Sequence, residues 1–85
     1  MLKGFKMTLN DINSWYMSRC TDENLLTLIN ELYILRNTNI IKENTHIFKL
    51  YTEIAKEHCH QTALMLVEAA ILDEAASRWY MSKIG

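Results

Sequence analysis

The residues best equipped for chemistry stand together at Glu57-His58-Cys59-His60, with His46 upstream. Each is a possible metal ligand, and Cys59 beside two imidazoles is a possible nucleophile. Spacing argues against both uses. Zinc ligands on a helix stand one turn apart, at i,i+3 or i,i+4. On a regular helix His58 and His60 point about 200° apart and cannot grip one ion. His58 shares a face with Thr62, and Cys59 with Ala63; neither is a ligand pair. A thiol nucleophile needs a base within reach and a third group to orient it, and sequence neighbours on a helix diverge. Glu53 and Glu57 do share a face at i,i+4, which reads as a solvated acidic face rather than an acid–base pair. A phosphate-binding loop has no glycine to use, because the only glycines are Gly4 and Gly85. No catalytic residue, metal site or cofactor is expected, and the chain reads as a non-enzyme. If His58 is buried, it is a pH-sensitive contact.

Charge narrows the partners. Nine Lys/Arg against ten Asp/Glu leave a net charge of −1. That excludes attachment to nucleic acid or anionic lipid by bulk charge. Among the cations only Lys42, Lys49 and Lys56 form a row, and Glu53 and Glu57 interleave it. A recognition helix brings several base- and phosphate-contacting groups to one face, so DNA binding is the runner-up reading rather than the first. Cys20 and Cys59 stand in no CxxC pair. They read as reduced thiols, one near a helix end and one within a helix, which favours the cytoplasm. Lys3 and Lys6 are not followed by the apolar run of about 7–15 residues that a signal peptide needs. The longest apolar segment, Ala63 to Leu72, is interrupted by Glu68 and falls short of the roughly 18 residues that span a bilayer. It reads as a buried core helix.

These groups must be positioned by helices. The chain of 85 residues is 49% apolar and 22% charged, an ordinary balance for one folded domain. Proline is absent and no glycine lies between residues 5 and 84. The tight turns of antiparallel sheets recruit those residues, so a β fold is excluded and helix ends must come from caps. Residues 1–7 read as an N-terminal extension and 8–85 as a single helical domain. Thr8 caps a first helix, 8–19, with Asp11 in its first turn and Leu9, Ile12 and Tyr16 on one face. Thr21-Asp22-Glu23 opens a second, 22–36. Its stripe of Leu25, Leu28, Ile29, Leu32 and Leu35 is widened by Leu26, Tyr33 and Ile34, which predicts two neighbouring elements. Arg36-Asn37-Thr38-Asn39 is the stop, since asparagine tolerates the left-handed conformation that closes a helix and Arg36 complements the dipole. Asn44 or Thr45 caps a third helix. From there no breaker appears, and a literal reading is one rod of about 60 Å. Such a rod overhangs a domain this small, so it either breaks or packs on a second subunit. The expected break is at Leu72-Asp73, giving helices 44–71 and 73–84 with Asp73 as N-cap and Glu74–Arg78 as an i,i+4 pair. The region His58 to Gln61 is the second candidate. A heptad frame from Phe48 to Trp79 has His58 and Thr62 in its seam, which reads as globular packing rather than a long parallel coiled coil.

The strongest positive feature is a repeated triplet, Trp15-Tyr16-Met17 and Trp79-Tyr80-Met81. Three consecutive large side chains on a helix span about 200° and cannot all face one core. Either the triplets pack on each other across the bundle, or part of each is covered by a partner. Tryptophan, tyrosine and methionine are enriched at protein interfaces. Trp15, Tyr16, Trp79 and Tyr80 are therefore the expected contact residues.

The segment Glu68-Ala69-Ala70-Ile71-Leu72-Asp73-Glu74-Ala75-Ala76-Ser77-Arg78-Trp79 resembles small enterobacterial regulators of the PerC and ANR types. In those families an apolar helix with a glutamate leads through a short turn into an E-A-A-x-x-W or R-A-A-x-R-W helix. The resemblance implies modulation of virulence or mobile-element transcription through contact with other regulators. His58-Cys59-His60, followed by Ala63, Glu68 and Glu74-Ala75-Ala76, is similar to the helix-hairpin chaperones of type III secretion needle subunits. Both resemblances imply enterobacteria or their phages, and binding without catalysis.

The expectation is an all-α bundle of three or four helices, the last two being one long helix if the protein is a homodimer. The expected function is that of a cytoplasmic, non-enzymatic adaptor or inhibitor that binds another protein, a transcriptional regulator or a host defence component. A DNA-binding regulator and a type III secretion chaperone are the alternatives.

Overall fold

The structure, a computed structural model, describes residues 8–84. The N-terminal extension 1–7 lies outside them. Four α-helices and one 3₁₀ turn follow in order: α1 (Leu9–Trp15), the 3₁₀ turn (Met17–Arg19), α2 (Asp22–Thr38), α3 (His46–Ala55) and α4 (His60–Ile84). Each of the first three helices starts where a threonine can cap it. Thr8 and Asp11 form a capping box, the Asp11 N–H donating to Thr8 Oγ1 at 3.2 Å and the Thr8 N–H to Asp11 Oδ2 at 2.9 Å. These two bonds favour the charged form of Asp11 and hold its carboxyl below the usual aspartate value. Thr21 accepts from the Asn24 N–H at 3.1 Å, and Thr45 from the Phe48 N–H at 3.1 Å. Asn39 adopts φ 59° and stops α2, its N–H donating to the Leu35 carbonyl at 2.7 Å. Asn44, at φ 70°, supplies the second left-handed residue, one position before the Thr45 cap.

The start of α3 has a further partner that only the tertiary fold provides. Glu31 on α2 accepts from the Ile47 N–H at 2.8 Å. A carboxylate there satisfies an orphan amide and meets the positive end of the helix dipole. Replacing Glu31 by alanine is expected to cost about 1–2 kcal/mol by urea denaturation, and Glu31→Gln appreciably less, because the amide oxygen still accepts. Equal losses for both variants would overturn this assignment.

The third and fourth expected helices are corrected. α4 runs unbroken through Leu72 and Asp73, and the break falls at residues 56–59, overlapping the second candidate region, His58 to Gln61, at His58 and Cys59. Asp73 does not cap a helix. It accepts instead from Asn13 Nδ2 on α1 at 2.9 Å. Around it Ala69, Ala70, Leu72, Glu74, Ala75 and Ala76 are strong helix formers, and they carry the helix through. His58, Cys59 and His60 are weak ones. The break lets α3 fold back, so that Ile47, Leu50 and Ile54 are buried rather than left along a rod. Tyr51 and His60 join across the turn, hydroxyl to Nδ1 at 2.7 Å. The first helix is also shorter than expected, because the chain tightens into the 3₁₀ turn after Trp15.

α4 is the central element, and α1, α2, α3 and the 3₁₀ turn all pack against it. The core joins Ile12 and Met17 with Leu25, Leu28 and Leu32 of α2, Ile47, Leu50 and Ile54 of α3, and Ala63, Val67, Ala70 and Ile71 of α4. The two small alanines allow close approach of the neighbouring helices. The shortest axis of the molecule is 18 Å, the thickness of two helix layers. α2 does have two neighbours, α3 and α4. The residues expected to widen its buried stripe, Leu26, Tyr33 and Ile34, are nevertheless exposed.

Candidate interaction surface

Two polar links fix the α1 end of the chain to α4. The first is Asn13–Asp73. The second is Arg78, whose Nε donates to Glu74 at 2.7 Å, Nη1 to Asp22 at 2.8 Å, and Nη2 to the carbonyls of Met17 at 3.1 Å and Cys20 at 2.6 Å. The Glu74–Arg78 pair is the one anticipated from spacing. Its tertiary partners on the 3₁₀ turn and α2 carried no signal in the local sequence. Glu74 and Asp22 beside the guanidinium strengthen its hold on the proton.

With the inner face of α4 so engaged, its opposite face is bare. Met65, Leu72 and Trp79 are 69%, 45% and 63% exposed, and Tyr80 is exposed beside them. Successive members lie seven residues apart, hence within about 20° of each other on the helix. Ala69 and Ala76 fill the places between. The result is an apolar strip with Glu68 on one margin and Asp73 on the other. Lys83 lies over the Trp79 ring at 5.7 Å to the centroid. An isolated exposed leucine is ordinary, but a continuous strip of large apolar side chains marks a binding surface.

The four expected contact residues divide into two places. Trp79 and Tyr80 belong to the outer strip of α4. Trp15 and Tyr16 form a tilted ring pair with centroids 5.4 Å apart. They border a groove of about 330 Å³ with Phe48, Lys49, Thr52 and Glu53. Burial pushes the Tyr16 hydroxyl above the usual tyrosine value. Among the described residues no ring contact joins the two triplets. Their methionines differ too: Met17 is fully buried and Met81 exposed.

A hollow of about 570 Å³ lies between α2, α3 and α4. Leu35, Ile41, Phe48 and Leu64 make it apolar. The Arg36–Glu68 ion pair, at 3.5 Å, and the Tyr51–His60 bond stand among its walls. It arises from the fold-back of α3, which no motif announced.

The histidine–cysteine cluster sits in the 56–59 turn and the first residue of α4, not within a regular helix. Among the described residues no three His, Cys, Asp or Glu side chains come together to hold a metal. Cys59 is exposed, with its Sγ 3.2 Å from Thr62 Oγ1. That hydroxyl and the amides of Thr62 and Gln61 favour the thiolate and lower its pKa from the usual thiol value. Burial pushes the half-buried Cys20 thiol up, against the opposing charge of Arg78. Iodoacetamide at neutral pH is therefore expected to alkylate Cys59 several-fold faster than Cys20, read by peptide mass spectrometry. Equal rates would contradict both environments. The cation row is likewise dispersed: Lys42 precedes α3, Lys49 lies on it, and Lys56 caps its end and pairs with Glu53 at 3.0 Å.

No helix among the described residues is long and apolar enough to cross a membrane. The fold and surface together define a small all-α bundle with an unpartnered apolar helix face. Compared with known protein families, with characterised proteins and with solved structures, the chain matches none. The turn that the PerC/ANR resemblance implies between Glu68 and Trp79 is absent, since α4 is continuous there.

Proposed function

We propose that the protein is a non-enzymatic adaptor or inhibitor that works by docking a helix of another protein chain. The observation that carries this reading is the outer strip of α4, Met65 to Trp79, exposed along one face of the helix on which the rest of the fold is built. Binding a helix in a groove or on a face uses anchors at i, i+4 and i+7, which is the spacing of this strip. Trp79 and Tyr80 are the residue types that concentrate binding energy. Trp15 and Tyr16 offer a second, smaller contact area. The partner class is a transcriptional regulator or a host defence component, in the cytoplasm of an enterobacterium or of a cell infected by its phage. The residue-level resemblance of Glu68–Trp79 to the PerC and ANR regulators supports this class, without the turn those families have there.

Affinity capture from an enterobacterial lysate tests the reading. A specific protein should be retained by the native chain and lost with the double variant Trp79→Ala/Tyr80→Ala, the two proteins having the same helical circular dichroism. Retention of nothing specific would overturn the proposal. A DNA mobility shift that weakens steeply with salt would support the DNA-binding alternative instead.

A further inference from the structure

We propose that in the free protein the outer strip of α4 is the seam of a homodimer, in which two copies lay their α4 helices antiparallel. The inference rests on the reading of this face as a protein-docking surface and names its resting occupant. Met65, Ala69, Leu72, Ala76 and Trp79 follow one another in alternating steps of four and three residues. That spacing keeps one face turned towards a second helix. The face lies opposite the buried Ala63, Val67, Ala70 and Ile71, so the seam is open over about 26 Å from Thr62 to Trp79.

Size selects the direction. Large and small side chains alternate along the strip. In an antiparallel pair Met65 faces Ala76 of the second copy, Leu72 faces Ala69, and Trp79 faces Thr62. Every layer then joins one large side chain to one small one, which fills the seam evenly. In a parallel pair Trp79 meets Trp79 and Ala69 meets Ala69, so thick layers hold thin ones apart. Charge selects the same direction. A parallel pair sets Glu68 against Asp73 of the second copy and Lys83 against Lys83, both repulsive. The antiparallel pair sets Glu68 beside Ala75 and Asp73 beside Leu66, and no like charges meet. A foreign helix then engages by exchange, replacing one α4 of the pair.

Sedimentation equilibrium and site-directed crosslinking test this together. The native chain should sediment as a dimer at micromolar concentration. Leu72→Glu should sediment as a monomer of unchanged helicity, because Leu72 lies outside the core. For direction, two proteins are mixed under mild oxidation, both carrying Cys20→Ser and Cys59→Ser, one with Met65→Cys and the other with Ala76→Cys. The mixed disulfide should outnumber either self-disulfide at least tenfold. A native monomer at hundreds of micromolar, a dimer indifferent to Leu72→Glu, or predominant self-disulfides would overturn the proposal. A monomer that still captures a foreign protein through Trp79 and Tyr80 would leave the adaptor reading standing and remove the dimer. A dimer that captures nothing would do the reverse.

Discussion

Truncating Leu50 to alanine is expected to lower the unfolding free energy by about 3 kcal/mol, within the range of about 2–5 measured for buried leucines elsewhere. The same substitution at Leu72, in a dilute sample, is expected to change it by less than about 0.5 kcal/mol. The chemistry is identical and the surroundings are not. Leu50 is fully buried, within the cluster that α2, α3 and α4 build together. Its loss removes transfer free energy and leaves a cavity that three helices cannot close by small shifts. Leu72 has no such neighbours on its outer side. A domain of this length has a total stability of about 4–13 kcal/mol, so the Leu50 change removes a large share of it. Urea denaturation of the two variants decides the matter. A Leu72→Ala loss as large as that at Leu50 would mean that the outer face of α4 is not bare in the monomer.

Arg78→Ala is expected to cost about 2–4 kcal/mol, a large effect for a side chain on a helix surface. Its side chain is only 25% exposed and that of Glu74 only 19%. Truncation leaves the Glu74 carboxylate half-desolvated without its cation. It also strips the carbonyls of Met17, which opens the 3₁₀ turn, and Cys20, which closes it, of their guanidinium donor. The contact to Asp22 adds little, because that carboxylate is almost fully exposed. The prediction separates two origins of the loss. In Arg78→Ala/Glu74→Ala the abandoned carboxylate is gone, so roughly half of the loss should be recovered. The remainder belongs to the two carbonyls. A double variant no more stable than Arg78→Ala alone would show that Glu74 is not penalised, and that the carbonyl contacts carry the whole effect.

Much of the architecture could be read from residue type and spacing. Thr8 and Thr21 cap the helices that the sequence assigns to them, Thr45 is the one of the two candidates Asn44 and Thr45 that caps α3, and within the stop Arg36–Asn39 it is Asn39 that ends α2 in the left-handed conformation. The Glu74–Arg78 pair forms as its spacing predicts. Such features are local, and a local bond is decided by residues within one turn. The break before α4 has no strong local signal, because nothing between Lys56 and His60 is a strong breaker. It is chosen by burial, since only a fold-back covers Ile47, Leu50 and Ile54. Asp73 illustrates the complementary limit. Its partner, Asn13, lies sixty residues away, and a cap is the natural reading of an aspartate when that partner is out of view. The heptad frame was visible, but its meaning was not. His58 and Thr62 spoil it as an internal seam, whereas the segment from Met65 onward is regular and faces outward. Which side of a helix is inner depends on where the other helices lie, and in α2 that rule leaves Leu26, Tyr33 and Ile34 outside.

The placement of the two indoles has a practical result. Neither Trp15 nor Trp79 belongs to the buried cluster, so the intrinsic fluorescence of this protein samples its exterior. In a dilute sample of the monomer emission will follow melting poorly, since both rings already meet water in the folded single chain. It will follow association well. Covering Trp79 should shift emission to the blue while the far-ultraviolet dichroism stays constant, which provides a label-free titration for any chain brought to this surface.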